Sequence, residues 1–112
     1  MDTTHQEFEI IAYRDETNKE PFAEWLHDLD FKLQNTILSR LNRIKLGNFG
    51  DCKSVGDKVH ELRIHAGAGY RIYFAKEQNK LILLLCAGNK SSQIKDIKKA
   101  KNFLRRFYEK KS

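Results

Sequence analysis

The sequence predicts an α+β fold, in which an N-terminal strand and a helix hairpin pack on a largely antiparallel sheet that is followed by a basic C-terminal helix. Apolar residues recur with helical spacing after Pro21, alternate as in strands after Asp51, and return to helical spacing after Gly88. The chain has 112 residues, 40% of them hydrophobic, and a single proline. This length and composition predict one globular domain over residues 1–112.

The first predicted elements are a strand over residues 8–13 and two helices. Pro21 is well placed to begin the first helix, because a proline at the first helical position sacrifices no hydrogen bond. Asp28 or Asp30 can cap the second helix, and Gly47-Asn48 ends it. The connection is so short that the two helices should form an antiparallel hairpin. The apolar stripes are Phe22, Trp25, Leu26 and Leu29 in the first helix and Leu33, Ile37, Leu41 and Ile44 in the second.

Predicted strands follow residue 51. Residues 52–55 form a weak strand, and Gly56-Asp57 is a turn. Residues 59–65 and 70–75 alternate in side-chain character, and the glycine-containing stretch between them predicts a hairpin. Residues 81–87 are apolar at every position, which is typical of a strand buried on both faces.

The last predicted helix begins after residues 88–91, which read Gly-Asn-Lys-Ser. Ser91 or Ser92 would cap this helix. Its predicted apolar stripe consists of Ile94, Ile97, Leu104 and Phe107, with lysines and arginines around the rest. Lys90 lies just before the helix N-terminus, where free backbone N–H groups and the helix dipole favour an anion.

Charge is distributed unevenly along the chain. Residues 1–56 carry a net charge of −3, whereas residues 57–112 carry +9. A strongly basic half concentrates anionic partners, nucleic acid above all. The alternative explanations of this excess of positive charge are a solvated lysine-rich helix and an acidic protein partner.

Composition also excludes several classes of protein. The longest apolar run, residues 81–87, is far shorter than the roughly 20 residues of a membrane-spanning helix. Residues 1–5 contain neither a basic region nor an apolar stretch, so no signal peptide is expected. Cys52 and Cys86 are too far apart in sequence for a zinc cluster or a disulfide framework, which favours a reducing, cytoplasmic compartment.

Two arginines are predicted to lie side by side on the sheet. The core-facing residues of the hairpin strands set a register that pairs Arg63 with Arg71. The same register pairs Glu61 with Tyr73. Adjacent arginines repel each other, and phosphate recognition by forked guanidinium groups is a reason to keep them together. The alternative is a pair of solvated arginines bridged by Glu61. Because Arg71 is expected to point outward, its replacement should cost little stability.

The available residues favour phosphate chemistry without a metal ion. The histidines lack metal-ligand spacing, and neither a phosphate-binding loop nor an acidic magnesium cluster is visible. The histidines are His5, His27, His60 and His65, of which His60 is expected to pack in the core. A metal-free nuclease can use the RNA 2′-OH as its nucleophile, and it needs a base, an acid and cations. Arginine does not deprotonate, so proton transfer is left to Glu61, His65, Tyr73 and Lys90.

Five stretches of the sequence resemble phage-derived addiction module killer toxins, which are HigB-like members of the RelE/ParE superfamily. These stretches are Pro21-Phe22-x-Glu24-Trp25-Leu26, Gly47-Asn48-Phe49-Gly50-Asp51, Glu61-Leu62-Arg63-Ile64, Gly69-Tyr70-Arg71-Ile72-Tyr73-Phe74 and Lys90-Ser91-Ser92-Gln93-x-x-Asp96-Ile97. The resemblance covers nearly the whole chain, from about Phe8 to Phe103. It implies a RelE-type fold, metal-independent mRNA cleavage in the ribosomal A site, and inhibition by an antitoxin that is often a helix-turn-helix protein.

The resemblance also implies roles for individual residues. Arg71 matches an arginine placed at the scissile phosphate, Arg63 a basic strand position before the hairpin, and Lys90 a basic residue after the strand-end glycine. We therefore expect no cofactor and a catalytic group of Arg71, Arg63, Lys90, Tyr73 and Glu61. The residues expected to bind RNA are His65, Lys58, Lys95 and Lys98. Several relatives place a catalytic tyrosine or a histidine pair where this chain has Gln93, Lys95 and Asp96, which leaves the general base open.

The leading hypothesis is the toxin of a type II toxin–antitoxin system that cleaves mRNA on the ribosome, with a cognate antitoxin as its protein partner. One alternative is a ParE-like inhibitor of DNA gyrase, which shares the fold. Others are a non-catalytic module that binds RNA or the ribosome, and a basic domain whose polar sheet face docks a partner. None of these hypotheses involves a membrane or a metal ion.

Overall fold

The computed structural model describes residues 7–111, which form one five-stranded sheet, three α-helices and a short 3₁₀ turn. The strands are β1 (Glu9–Ala12), β2 (Cys52–Gly56), β3 (Val59–Ile64), β4 (Tyr70–Glu77) and β5 (Leu81–Gly88). The helices are α1 (Pro21–His27), α2 (Phe31–Lys45) and α3 (Gln93–Lys111), and the 3₁₀ turn at Lys90–Ser92 precedes α3. The predicted α+β class and the predicted order of elements are confirmed for this part of the chain.

The strand order in the sheet is β1-β5-β4-β3-β2. Strands β2 to β5 pair antiparallel with their neighbours in sequence, whereas β1 pairs parallel with β5. The β3–β4 register is the predicted one, with Arg63 opposite Arg71 and Glu61 opposite Tyr73. A shift of one residue would turn every core side chain of a strand to the other face, which explains why the apolar pattern specifies this register.

One face of the sheet packs against α1 and α2. Its buried core consists of Phe22, Ile37, Leu41, Ile44, Leu62, Ile64, Ile72, Phe74, Ile82 and Leu84. The remaining members of the predicted helical stripes, such as Trp25 and Leu33, are half-buried against this core. Of the two predicted caps of α2, Asp30 is the one observed, since its side chain accepts the backbone N–H of Leu33 over 2.8 Å. Gly47 follows the helix with a φ of +93°, a conformation that favours glycine.

The other face of the sheet is covered by α3. The second core consists of Tyr13, Val59, Tyr73, Ala75, Leu83, Leu85, Cys86, Ala100 and Leu104. The predicted stripe of α3 is wrong at Ile94, which is 84% exposed. Ile94 precedes the buried Asp96 by two residues, or about 200° around the helix, and therefore points to the opposite side. In the described part of the chain, no helix is long and apolar enough to cross a membrane.

Candidate active site

Four residues line up across neighbouring strands at one end of the sheet. Arg71 on β4 lies between Arg63 on β3 and Gly88 on β5. Asp51 precedes β2, and its carbonyl oxygen accepts the backbone N–H of Arg63 over 3.0 Å. We call Asp51, Arg63, Arg71 and Gly88 the cross-strand row. The row brings together the two arginines that the sequence predicts as phosphate-binding groups.

Arg71 is largely buried, with 12% of its side chain exposed. Its Nη1 donates to the carbonyl oxygen of Gly69 over 2.9 Å, and its Nε lies 3.6 Å from Oε2 of Glu61. Nε has no hydrogen-bond partner among residues 7–111, so its contact with Glu61 is an ion pair. The expectation of an outward arginine is therefore wrong, because Arg71 is the largely buried counter-charge of the Glu61 carboxylate.

Glu61 and Tyr73 are completely buried beneath α3. The Tyr73 hydroxyl donates to Oε2 of Glu61 over 3.0 Å, and the side-chain amide of Gln93 donates to the same oxygen over 2.8 Å. Burial, followed by the neighbouring Glu61 carboxylate, raises the pKa of Tyr73. RNA at the surface has no access to either side chain, because α3 covers this face of the sheet. The structure thus gives Glu61 and Tyr73 a supporting place behind Arg71 rather than the predicted proton transfer to substrate.

Asp51 holds both Arg63 and His65. Nη2 of Arg63 lies 3.3 Å from Oδ1 of Asp51, and Nε2 of His65 forms a hydrogen bond with Oδ2. The hydrogen bond with His65 is the main cause that lowers the pKa of Asp51, and the charge of Arg63 adds to it. An ionised Asp51 accepts the Nε2 proton, which leaves Nδ1 of His65 as the ring nitrogen that can take up a proton. His65 is exposed, and Arg63 is partly exposed.

Lys90 approaches Arg71 from the side of the β3–β4 hairpin. A Cβ added at Gly69 would lie 3.6 Å from Cβ of Lys90 and 3.7 Å from Nη1 of Arg71, so both cationic residues adjoin Gly69. The backbone N–H of Lys90 faces the carbonyl oxygen of Ala68 at 3.5 Å. The Lys90 side chain is exposed. The stem of Lys90 therefore starts close to the guanidinium of Arg71.

The residue that caps the turn before α3 is Asn89, and not the predicted Ser91 or Ser92. The Asn89 side chain accepts the backbone N–H of Ser91 over 3.0 Å. The hydroxyl of Ser92 donates instead to the buried carboxylate of Asp96. Any side chain at Gly88 would collide with that carboxylate. Glycine at this position therefore allows the start of α3 to pack directly on the end of β5.

The other predicted RNA-binding lysines do not all lie at this end of the sheet. Lys95 and Lys98 are exposed on the first two turns of α3. Lys58 precedes β3 at the far end from Arg63, and its ammonium group lies 5.6 Å from the centre of the Tyr108 ring. At about 3.3 Å per residue, Lys58 is roughly 16 Å from Arg63. A surface depression of about 730 Å³ surrounds Lys58, and no residue of the cross-strand row lines it.

The structure describes three of the four histidines, and His60 is placed as the sequence predicts. His60 stacks on Phe74 with ring centroids 5.4 Å apart, and burial, followed by the charge of Lys76, lowers its pKa. This confirms that His60 packs in the fold. His27 is exposed at the end of α1, and His5 lies outside the described residues. Among residues 7–111, no three His, Cys, Asp or Glu side chains are grouped so that they could hold a metal ion.

Sequence reasoning misses the supporting roles of Asp51, Gln93 and Gly69. Asp51 lies one residue before β2 and opposite Arg63, and the sequence predicts no register between β2 and β3 that would have shown this. Gln93 and Gly69 carry no sequence signal either. Gln93 reaches Glu61 from the first turn of α3, 32 residues away in sequence, and Gly69 contacts Arg71 through a backbone carbonyl.

Comparison with known proteins assigns the chain to a family. Residues 24–108, a segment that includes the whole cross-strand row, match the family described as Phage derived protein Gp49-like (DUF891). The chain belongs to this family. The Gp49-like family is RelE-like and toxin-like, which agrees with the resemblance at the level of the superfamily. An uncharacterized protein of Haemophilus influenzae is 48% identical over 81 residues, which are 71% of this chain and 82% of that protein.

Proposed function

We propose that the chain is the toxin of a type II toxin–antitoxin system and that it cleaves mRNA on the ribosome without a metal ion. Membership in the Gp49-like family supports the toxin class. The observation that carries the activity is the convergence of Arg63, Arg71 and Lys90 beside a histidine held by Asp51. Such a site offers cations for the scissile phosphate and a group that can accept a proton. A cognate antitoxin, expected to be a helix-turn-helix protein, is the partner that blocks the toxin.

Arg71 stabilises the negative charge that develops at the scissile phosphate. Its Nη1 donates to the carbonyl oxygen of Gly69 and its Nε faces Glu61, and these contacts hold the guanidinium plane. In this proposal Nη2 binds the RNA phosphate. A donor that is already in place costs no reorganisation when the transition state forms. Arg63 lies beside Arg71 on the next strand, and Lys90 lies beyond Gly69. These two residues add positive charge on either side of the phosphate.

His65 and Lys90 move the protons in this proposal. Nδ1 of His65 takes the proton of the RNA 2′-OH while Asp51 holds Nε2. The 2′-oxygen attacks the adjacent phosphorus, the bond from phosphorus to the 5′-oxygen breaks, and the leaving 5′-oxygen takes a proton from the ammonium of Lys90. The products are a 2′,3′-cyclic phosphate and a 5′-hydroxyl group. All groups in this sequence of steps are side chains or RNA hydroxyls, so the reaction balances without a cofactor.

Single-turnover cleavage of mRNA in programmed ribosomes tests the proposal, with new 5′ ends mapped by primer extension. Wild-type protein should produce new mRNA 5′ ends only where the cleaved codon occupies the ribosomal A site. Arg71→Lys keeps a positive charge beside Glu61 but loses the forked guanidinium, so cleavage should slow by about 10²-fold or more. His65→Gln should slow it by about 10²-fold or more as well. Arg105→Lys, the same change at an exposed position of α3, is the matched control and should cleave like wild type.

The alternative functions predict different results in the same strains. Growth arrest without new mRNA ends, accompanied by stabilised complexes of gyrase with cut DNA, would replace the nuclease with a ParE-like gyrase inhibitor. Salt-sensitive ribosome binding without cleavage would leave a non-catalytic RNA-binding module. Cleavage at wild-type rate by the Arg71→Lys protein would contradict the role of the guanidinium.

A further inference from the structure

Helix α2 and its C-cap expose three apolar side chains outside the face that the helix buries against the sheet. Phe31 is 76% exposed, Leu38 is 46% exposed, and Leu46, at the C-terminal end of the helix, is 72% exposed. Phe31 and Leu38 are seven residues apart and lie on nearly the same face of the helix, whereas Leu46 follows Leu38 by eight residues, about 80° further around. We call these three residues the α2 stripe. The stripe is separate from the core, because Leu38 is about 100° around the helix from Ile37, and Ile37 and Ile44 are fully buried.

The surface beside the α2 stripe is basic. Helix α2 contains two lysines and two arginines and has no acidic residue. Within the described chain, Lys32 and Arg43 have no acidic partner, so both charges are open to solvent. They border a surface depression of about 470 Å³ that follows the helix, together with Asn35, Thr36, Ser39 and Arg40. Apolar and cationic side chains thus run in parallel along one helix.

We propose that α2 is the docking surface for an amphipathic helix of a partner protein, with an apolar face and acidic edges. Exposed apolar residues at helical spacing fit the apolar face of such a helix. The exposed charges of Lys32 and Arg43 select acidic residues at its edge. A second copy of this chain fits poorly, because α2 against α2 would bring two basic edges together. RNA also fits poorly, since only Phe31 in the stripe offers a ring on which bases stack.

The α2 stripe lies on the far side of the sheet from the cross-strand row. Arg63 and Arg71 share their strand face with Glu61 and Tyr73, which lie beneath α3, whereas α2 packs on the other face. A helix bound to α2 therefore leaves the arginines uncovered. If the partner is the antitoxin, which rests on the proposed function, it inhibits by obstructing the approach to the ribosome and not by contact with the arginines.

The test measures the binding of three fluorescent, helix-forming peptides to the full-length protein by anisotropy. The first peptide has a leucine face and glutamate edges, the second has the same face with lysine edges, and the third has glutamate edges with serines in place of the leucines. We expect the first peptide to bind and the other two to bind at least about tenfold more weakly. Leu38→Asp and Arg43→Glu should each weaken binding of the first peptide by about tenfold or more. Ile94→Asp introduces the same charge at an exposed residue of α3 and should have no effect.

Several outcomes would overturn the proposal. Equal binding of the glutamate-edged and lysine-edged peptides would remove the charge complementarity, and unchanged binding by the Leu38→Asp protein would remove the stripe. Self-association that Leu38→Asp abolishes would assign the surface to a second copy of the chain. Competition between a single-stranded RNA oligonucleotide and the first peptide, lost in Leu38→Asp, would assign it to RNA.

The nuclease proposal and the docking proposal fail separately. Leu38→Asp should cleave mRNA like wild type, and Arg71→Lys should bind the first peptide like wild type. A wild-type protein that binds the peptide but does not cleave mRNA would refute the nuclease and leave the docking surface intact. A wild-type protein that cleaves mRNA but does not distinguish the peptides would refute the docking surface and leave the nuclease intact.

Discussion

Replacement of Arg71 by methionine is expected to destabilise the protein far more than the same change at its cross-strand neighbour Arg63. Methionine keeps much of the apolar stem but removes the positive charge that lies 3.6 Å from Glu61. Glu61 is 0% exposed, and its Oε1 has no hydrogen-bond partner within the residues that the structure describes. The variant would therefore leave a carboxylate in the interior without its counter-charge.

Removal of one partner from a buried ion pair costs about 3–5 kcal/mol of unfolding free energy. The lower end applies here, because Tyr73 and Gln93 still donate to Glu61. We expect Arg71→Met to lower the unfolding free energy by about 3 kcal/mol. Glu61→Gln should lower it by about 2 kcal/mol, because the side chain of Arg71 is partly exposed and can relax toward solvent. The double variant restores charge balance, so its loss should be about 3 kcal/mol and not the sum of about 5 kcal/mol.

Urea unfolding followed by the fluorescence of Trp25 measures the four proteins of this double-mutant cycle. Trp25 is the single tryptophan and packs against Phe22 and Tyr70, so its emission reports the loss of the core. Arg63→Met is the matched control and should shift the midpoint much less, because Arg63 is 37% exposed. Single losses that add to within about 0.5 kcal/mol would show that Glu61 and Arg71 do not interact, and they would refute this account of the buried pair.

Three further predictions test other contacts. Gly88→Ala should displace the Asp96 carboxylate and lower stability by about 1–3 kcal/mol, and an unchanged melting temperature would contradict the close packing at this position. Burial, followed by the charge of Lys76, lowers the pKa of His60, so the unfolded state binds the proton first and stability should fall as the pH drops below about 6.5. His60→Gln should flatten the plot of unfolding free energy against pH below about 6.5. Parallel plots for the wild type and the variant would show that His60 does not cause this pH dependence. Burial raises the pKa of Cys86 to about 12, so a Cys52→Ser protein should resist thiol reagents until it is unfolded, and rapid labelling of the native protein would show that Cys86 is accessible.

The β3–β4 hairpin illustrates how much of the fold the sequence predicts. Its apolar side chains alternate, and a wrong register would expose them, so the sequence by itself predicts that Arg63 and Arg71 are neighbours. The parallel pairing of β1 with β5 could not be read in this way, because it joins segments about 70 residues apart and no local pattern encodes it. Ile94 was misplaced because its apolar character fits a helical stripe, whereas α3 buries the face that contains Asp96 and Ala100.

The amino-acid sequence determined the class of fold, the order of its elements and the two arginines on adjacent strands, because periodicity and register are local properties of the chain. Tertiary structure alone decided what those arginines do. It placed Glu61 beneath α3 as the buried counter-charge of Arg71, and it left Arg63 at the surface beside Asp51. Alternation separates the two faces of a strand, but which face a helix covers depends on where the chain crosses the sheet, and only the folded molecule determines that crossing.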